Sequence, residues 1–253
     1  YIVKKDFFHR ILYRRVTRAL AISTIIKNNL LDTCPLEPEQ IEMLYNAVDT
    51  NRFDPDKIDR AAVRKELGLQ DDELVIGMTA RFSPGKGHEE FLEAAAMLNG
   101  KYQNLRFMIV GEPSRGEDAY GASVKKLAEG LQLKNVLFTG YRSDIPEMMA
   151  AMDIFVFPSH SEAFGIALVE ALSMRKATVA ANADGVLDIM IDGKTGLLFQ
   201  VKSVKDLAAK ISQMIDNPGS RVDYGVAARE RAKEVFDLPI IMERLIMLYQ
   251  SVL

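Results

Sequence analysis

From Glu73 onward the chain carries five short runs, "ELVIGMTA", "LRFMIVG", "NVLFTG", "DIFVFPS" and "KATVAAN", whose centres are apolar at consecutive positions rather than at alternate ones. A strand with one face in water alternates apolar and polar residues. One that stays apolar throughout is covered on both faces, which is the condition of a parallel sheet. Between these runs lie "HEEFLEAAAMLNG", "GASVKKLAEGLQL", "DIPEMMAAMD" and "EAFGIALVEALSM", each with helical spacing of its apolar residues. Strand, helix, strand in this rhythm predicts right-handed βαβ units: an α/β fold with a parallel sheet and helices on both faces. Ligands of such sheets bind beyond the carboxyl ends of the strands. The loops just after the apolar runs are therefore where functional residues are expected.

Three further helices, over Ser203–Asn217, Ser220–Phe236 and Pro239–Val252, are expected to close the chain. At the front, Phe7, Phe8, Ile11, Leu12 and Val16 recur at helical spacing within Lys4–Leu20, with Arg10, Arg14 and Arg18 beside them. A basic amphipathic helix can lie on an anionic membrane, giving a peripheral contact. Ordinary helix patterning favours packing on another domain.

At 253 residues with a formal net charge of -3, the chain has no basic excess that would point to nucleic acid. Its one cysteine, Cys34, can form no internal disulfide and lacks neighbours for a metal site, which suits a cytoplasmic protein. No apolar run reaches the eighteen or so residues of a membrane span. The sequence opens at Tyr1 directly into helical periodicity, so it is expected to be part of a longer protein.

The loop after the first apolar run, "ARFSPGKGHEEF", holds Arg81 and then Gly85, Lys86 and Gly87 before a helix. Arginine forks onto two oxygens, lysine adds a point charge, and a helix N-terminus offers free N–H groups, so the trio suits a diphosphate. The Walker spacing is absent. Gly111 follows the second run in a faint phosphate-loop context. After the third, main-chain groups near Tyr141 and Arg142 could read a base edge, Arg142 reaching phosphate or solvent. Asp144 and Glu147 also have capping-box spacing. The fourth loop, "HSEAFGIALVEA", brings Glu162, then Phe164, Gly165 and Ile166, where the helix is expected to start near Phe164, then Glu170 within it. Eight helical residues would separate the two glutamates by about 12 Å. That is too far for an acid and base facing each other across one bond, roughly 5–9.5 Å apart. Two ends of one ligand suit them better. His160 shows no carboxylate partner in the sequence and reads as a loop or core histidine. His9, His88 and His160 lack metal-ligand spacing, and no metal-binding Asp-x-Asp occurs.

Taken in order, Arg81–Lys86, "VGE", "FTGYRSD", "PSHSEAFGIALVEA" and "DGKTGLLF" resemble the retaining glycosyltransferases of family 4 (group 1), whose GT-B fold has two Rossmann-like domains. The resemblance runs from about Val16 to the C-terminus, and "ALAIS" and "LYNAVDTNRF" are similar to the family's last N-terminal-domain strand and its interdomain segment. It implies the C-terminal half of a GT-B fold: residues 1–45 as a remnant of the N-terminal domain and interdomain segment, 46–236 as the nucleotide-sugar domain, and 237–253 as a helix returning toward the first domain. It implies a nucleotide-diphosphate sugar as donor and a polysaccharide or glycolipid acceptor. Arg81 and Lys86 would neutralise the diphosphate, Glu162 would face the sugar and Glu170 the ribose. Gly85, Gly111, Tyr141, Arg142, Phe164, Gly165 and Ile166 would complete the donor site. No cofactor and no metal are expected, since the two cations supply the charge. A fold-related epimerase has no evident use for the Glu162–Glu170 unit; a catalytically silent nucleotide- or partner-binding module stays open. The chain departs from the family at Ala47, at Asp184-Gly185 where Gly-Gly is common, and at Asp188.

Overall fold

The computed structural model describes residues 3–253. Its elements run α1 (Phe7–Tyr13), β1 (Ala19–Ala21), α2 (Thr24–Thr33), β2 (Ile41–Met43), α3 (Arg60–Glu66), β3 (Leu74–Thr79), α4 (His88–Asn99), β4 (Leu105–Val110), α5 (Asp118–Gly130) and β5 (Val136–Gly140). They continue with α6 (Ile145–Ala151), β6 (Ile154–Phe157), α7 (Ile166–Ser173), β7 (Ala177–Ala181), α8 (Val186–Ile189), β8 (Leu197–Phe199), α9 (Val204–Asp216), α10 (Pro218–Arg231) and α11 (Leu238–Val252).

The five apolar runs become β3 to β7 of one parallel sheet, ordered β5-β4-β3-β6-β7-β8. Successive residues of each strand feed opposite faces. Ile76, Ile154 and Val156 pack with Phe91 of α4, Val124 of α5 and Leu207 of α9. Val75, Phe155 and Phe157 pack with Met148 of α6, Leu168 of α7 and Ala228 of α10. Helices thus cover both faces, as the unbroken apolar runs require.

β8 adds a strand that the sequence pattern does not announce, since its three residues are too few for a periodicity to register. The expected front helix stops at Tyr13, and the chain reaches β1 by Ala19. Phe7 and Phe8 are three-quarters exposed, so the front of the α1 apolar stripe is uncovered among the described residues, while Tyr13 and Val16 pack on the small core beside β1. β1 pairs in parallel with β2, and Ala21, Cys34, Leu36 and Ile41 form a small core of their own. The single helix expected over Ser220–Phe236 ends at Arg231 and gives way to a wider π turn over Ala232–Phe236.

Candidate functional site

β3 and β6 are neighbours in the sheet, yet the chain leaves β3 for α4 on one face and β6 for α7 on the other. Two adjacent strands whose chains diverge in this way leave a crevice beyond their carboxyl ends. The β3–α4 and β6–α7 loops form it. Phe82, 1% exposed, anchors the first loop by stacking on the His88 ring at 4.5 Å, with Arg81 and Lys86 in the loop on either side of it. Gly87 has φ of 79°, and a Cβ there would lie 2.4 Å from the Pro158 carbonyl oxygen, so this backbone sits directly on the β6–α7 loop. Only glycine permits both the angle and the approach.

A cavity of about 140 Å³ lies between the loops, lined by Arg81, Lys86, Phe157, Glu162, Gly165 and Ile166 among others. Lys86 Nζ donates to Glu162 Oε1 as an ion pair. Among the described residues Arg81 donates to a neutral group, the Ser114 hydroxyl, at 3.3 Å. Glu162 is fixed from behind: its carbonyl accepts from Gly185 N at 3.0 Å, while Ser161 Oγ donates to Asp184 Oδ2 at 2.5 Å. Helix α7 begins at Ile166, two residues later than expected, because Gly165 takes the N-cap with φ of 105° and no side chain caps it. Its first amides are therefore placed to meet an anion.

The remaining residues singled out from the sequence lie outside that lining. Phe164 is 2% exposed and its ring packs on Tyr45 (5.8 Å) and Phe236 (5.8 Å), so it contributes backbone rather than side chain to the loop. Glu170, on α7, is largely buried; burial pushes its carboxyl up, partly countered by the nearby Arg52 guanidinium. Gly85 belongs to the cation loop. Gly111 approaches the β3–α4 connection so closely that a Cβ would lie 2.0 Å from the Ala80 oxygen. Tyr141 is 70% exposed. Arg142 is held by carboxylates, donating to Asp144 (2.7 and 2.5 Å) and Glu66 (2.9 Å). Asp144 occupies the N-cap of α6, but its side chain makes no cap bond, so the capping box its spacing suggested does not form.

Two further features were not visible in the sequence. His160 has a carboxylate partner after all: its Nε2 lies 2.7 Å from Glu90 Oε1. His88 is fully buried, burial lowers its pKa to about 4, and neither ring nitrogen has a hydrogen-bond partner among the described residues. No group of three or more His, Cys, Asp or Glu suited to a metal ion occurs among the described residues. No helix among them is long and apolar enough to cross a membrane.

Two cations and a carboxylate thus surround an uncapped helix start at the switch point of a parallel sheet, in a Rossmann-like module, where such folds place their ligands. Residues 59–231 match the glycosyl transferases group 1 family, and the chain belongs to it. It is 34% identical over 189 residues to the N,N'-diacetylbacillosaminyl-diphospho-undecaprenol alpha-1,3-N-acetylgalactosaminyltransferase of Campylobacter jejuni, covering 75% of this chain and 47% of that protein. It is 25% identical over 239 residues to the capsular polysaccharide biosynthesis glycosyltransferase CapM of Staphylococcus aureus, covering 94% and 62%. Among solved structures it resembles HepE of Anabaena in complex with UDP and glucose, at TM-score 0.88 and 26% identity over 96% of this chain and 65% of that one. The parallel sheet is that of the GT-B glycosyltransferases. The chain spans about half to two thirds of the length of these relatives.

Proposed function

We propose that this chain is the donor-binding part of a retaining, family 4 glycosyltransferase that moves a sugar from a nucleotide-diphosphate sugar to a carbohydrate or lipid-linked acceptor. The observation that carries the reading is the single cavity on which Arg81, Lys86, Glu162 and the Gly165–Ile166 helix start converge. In this reading Arg81 and Lys86 neutralise the diphosphate as charge builds on the leaving group, with the α7 amides beside them. Glu162 faces the transferred sugar, Glu170 the ribose, and the main chain near Tyr141 and Arg142 the base. The acceptor attacks from the face the phosphate leaves, and that phosphate takes the acceptor's proton, so no protein nucleophile is required. The ion pair with Lys86 suits Glu162 to orienting a hydroxyl rather than to acting as a base.

The two cations stand in for a metal, and nucleotide binding is expected to persist in EDTA. Residues 1–45 belong, in this reading, with the acceptor-binding domain of the whole protein, and 237–253 return toward it. That domain covers the exposed face of α1, and the isolated chain binds donor without turnover. The reading places the protein in the cytoplasm. Flotation with anionic vesicles tests the rival role for α1: co-flotation would assign Phe7, Phe8 and the neighbouring arginines to the membrane surface. Calorimetric titration with UDP, GDP and ADP tests the donor site; binding of none of them would sink it. A full-length protein that binds nucleotide but transfers no sugar would instead be a binding module.

A further inference from the structure

His160 does not line the cavity, but it ties together the two loops that do. Its backbone N–H donates to the Gly85 carbonyl at 2.8 Å, and its ring meets Glu90, in the first turn of α4, at 2.7 Å. Gly85 and Glu90 bracket Lys86 in the chain. Glu162, the partner of Lys86, stands two residues beyond His160. The ring Nδ1 lies on the Gly85 side, 4.0 Å from where a Cβ of that residue would be. Both side chains of the pair are mostly shielded from solvent, 24% exposed for His160 and 13% for Glu90, and the second Glu90 oxygen is buried with no other partner among the described residues. A carboxylate so shielded depends on the one group that answers it.

We infer that His160, braced by Glu90, is a positioning residue for the diphosphate end of the donor site: it fixes the Lys86 loop against the Glu162 loop. The inference rests on the donor-binding reading proposed above. Its contribution is geometric. Without the ring, the start of α4 and the β6–α7 loop keep in this region the His160–Gly85 backbone bond, the Gly87–Pro158 contact and the Lys86–Glu162 ion pair, whose long side chains can follow a shift of the backbone that carries them. Lys86 is then free to shift relative to the α7 amides. A misplacement of about 1 Å at such a site can cost up to about 100-fold in function. The effect should fall on the ligand's phosphates and spare its nucleoside.

The test is calorimetric titration of this chain with UDP, ADP and GDP beside UMP, AMP and GMP, for wild type, Lys86→Ala, His160→Ala, His160→Gln and Glu90→Gln, with thermal melts of each. The expected result is that His160→Ala weakens the diphosphate about tenfold and the monophosphate less than twofold. His160→Gln, whose amide N–H can reach Glu90, should recover most of that loss. Should His160→Ala not fold, Glu90→Gln, which keeps the shape of the side chain, is expected to weaken diphosphate selectively by about threefold. If Lys86→Ala loses the diphosphate preference while the His160 and Glu90 variants keep it, the inference fails and the donor reading stands. Equal losses for mono- and diphosphate would also overturn it, marking His160 as merely structural. If wild type shows no diphosphate preference, or binds none of the six, the donor reading fails and takes the inference with it.

Discussion

Arg81 and Arg142 both follow strands of the same parallel sheet, β3 and β5, and both sit in loops where a phosphate could be met. Their surroundings differ. Arg142 has Asp144 two residues on and Glu66 across from it, and its fork is filled by the two carboxylates. Arg81 forms no ion pair among the described residues, bonding the Ser114 hydroxyl with the Glu117 carboxylate farther off, and it faces a cavity shared with Lys86. An arginine beyond a strand signals a ligand only where the protein's own carboxylates leave its charge unspent. The largest expected effect follows from that contrast. Arg81→Ala and Lys86→Ala should each weaken a nucleoside diphosphate by about 30- to 100-fold, the loss of one charge-assisted bond of about 2–3 kcal/mol. Calorimetric titration checks it, and a loss as large from Arg142→Ala would dissolve the contrast.

The cation loop is also built over a buried histidine, whereas nothing of that kind underlies the Arg142 loop. His88 stacks on Phe82 with its pKa lowered to about 4, because burial disfavours the imidazolium. The sign follows directly. Between the unfolded value near 6.5 and the folded value, the unfolded chain binds a proton that the native one does not. The stability contributed is whole above about pH 6.5 and is lost as pH falls toward 4. Wild type should therefore lose about 2 kcal/mol more than His88→Leu between pH 7 and pH 4.5, read from urea midpoints. Parallel acid slopes for the two proteins would show that His88 protonates without unfolding its loop.

The same contrast shows what a sequence can disclose. The sheet was legible because β3, β4, β6 and β7 are buried on both faces, which leaves consecutive apolar residues, while the edge strand β5 is only partly buried. Arg81, Lys86, Glu162, Gly165 and Ile166 were legible as a group because their loops follow adjacent strands at the switch point, which topology brings together. The His160–Glu90 pair was not, for it joins residues 70 apart across two loops that rest on each other at Gly87. Nor was the employment of Asp144. Asp144 and Glu147 have capping-box spacing, but Arg142, two residues earlier, claims the Asp144 carboxylate. The front helix is shorter than its pattern for a related reason: periodicity reports an apolar stripe, but only its end at Tyr13 and Val16 meets a core among the described residues, while Phe7 and Phe8 stay exposed.

Glu170 sharpens the comparison from the helix side of the crevice. Its carboxyl is pushed up by burial, which disfavours the ionised form in the fold. A raised carboxylate favours the fold below its unfolded pKa and loses that advantage as pH rises through the folded value. Glu170→Gln should consequently stabilise the chain by about 1 kcal/mol at pH 7 and by nothing at pH 3. It should also weaken nucleotide binding about fivefold. Gain in one property with loss in the other would mark a group retained for its ligand. Stabilisation with unchanged affinity would remove Glu170 from the donor site.

The smallest effect belongs to Arg142, and it is the most discriminating. Its ion pairs are partly exposed and draw on a residue only two positions away, so Arg142→Ala should cost less than about 1 kcal/mol in the urea midpoint. Nucleotide affinity should stay within about twofold if, as proposed, the base is met by main chain near Tyr141 and not by the Arg142 side chain. If affinity instead drops tenfold while stability holds, the arginine must leave Asp144 and Glu66 when nucleotide arrives. The two loops would then differ only in the unliganded protein, with Arg142 stored on its carboxylates as Lys86 is stored on Glu162. Repeating the titration in Asp144→Asn separates the cases. A side chain released from storage should bind more tightly there, whereas an arginine that only braces the loop should leave affinity where it was.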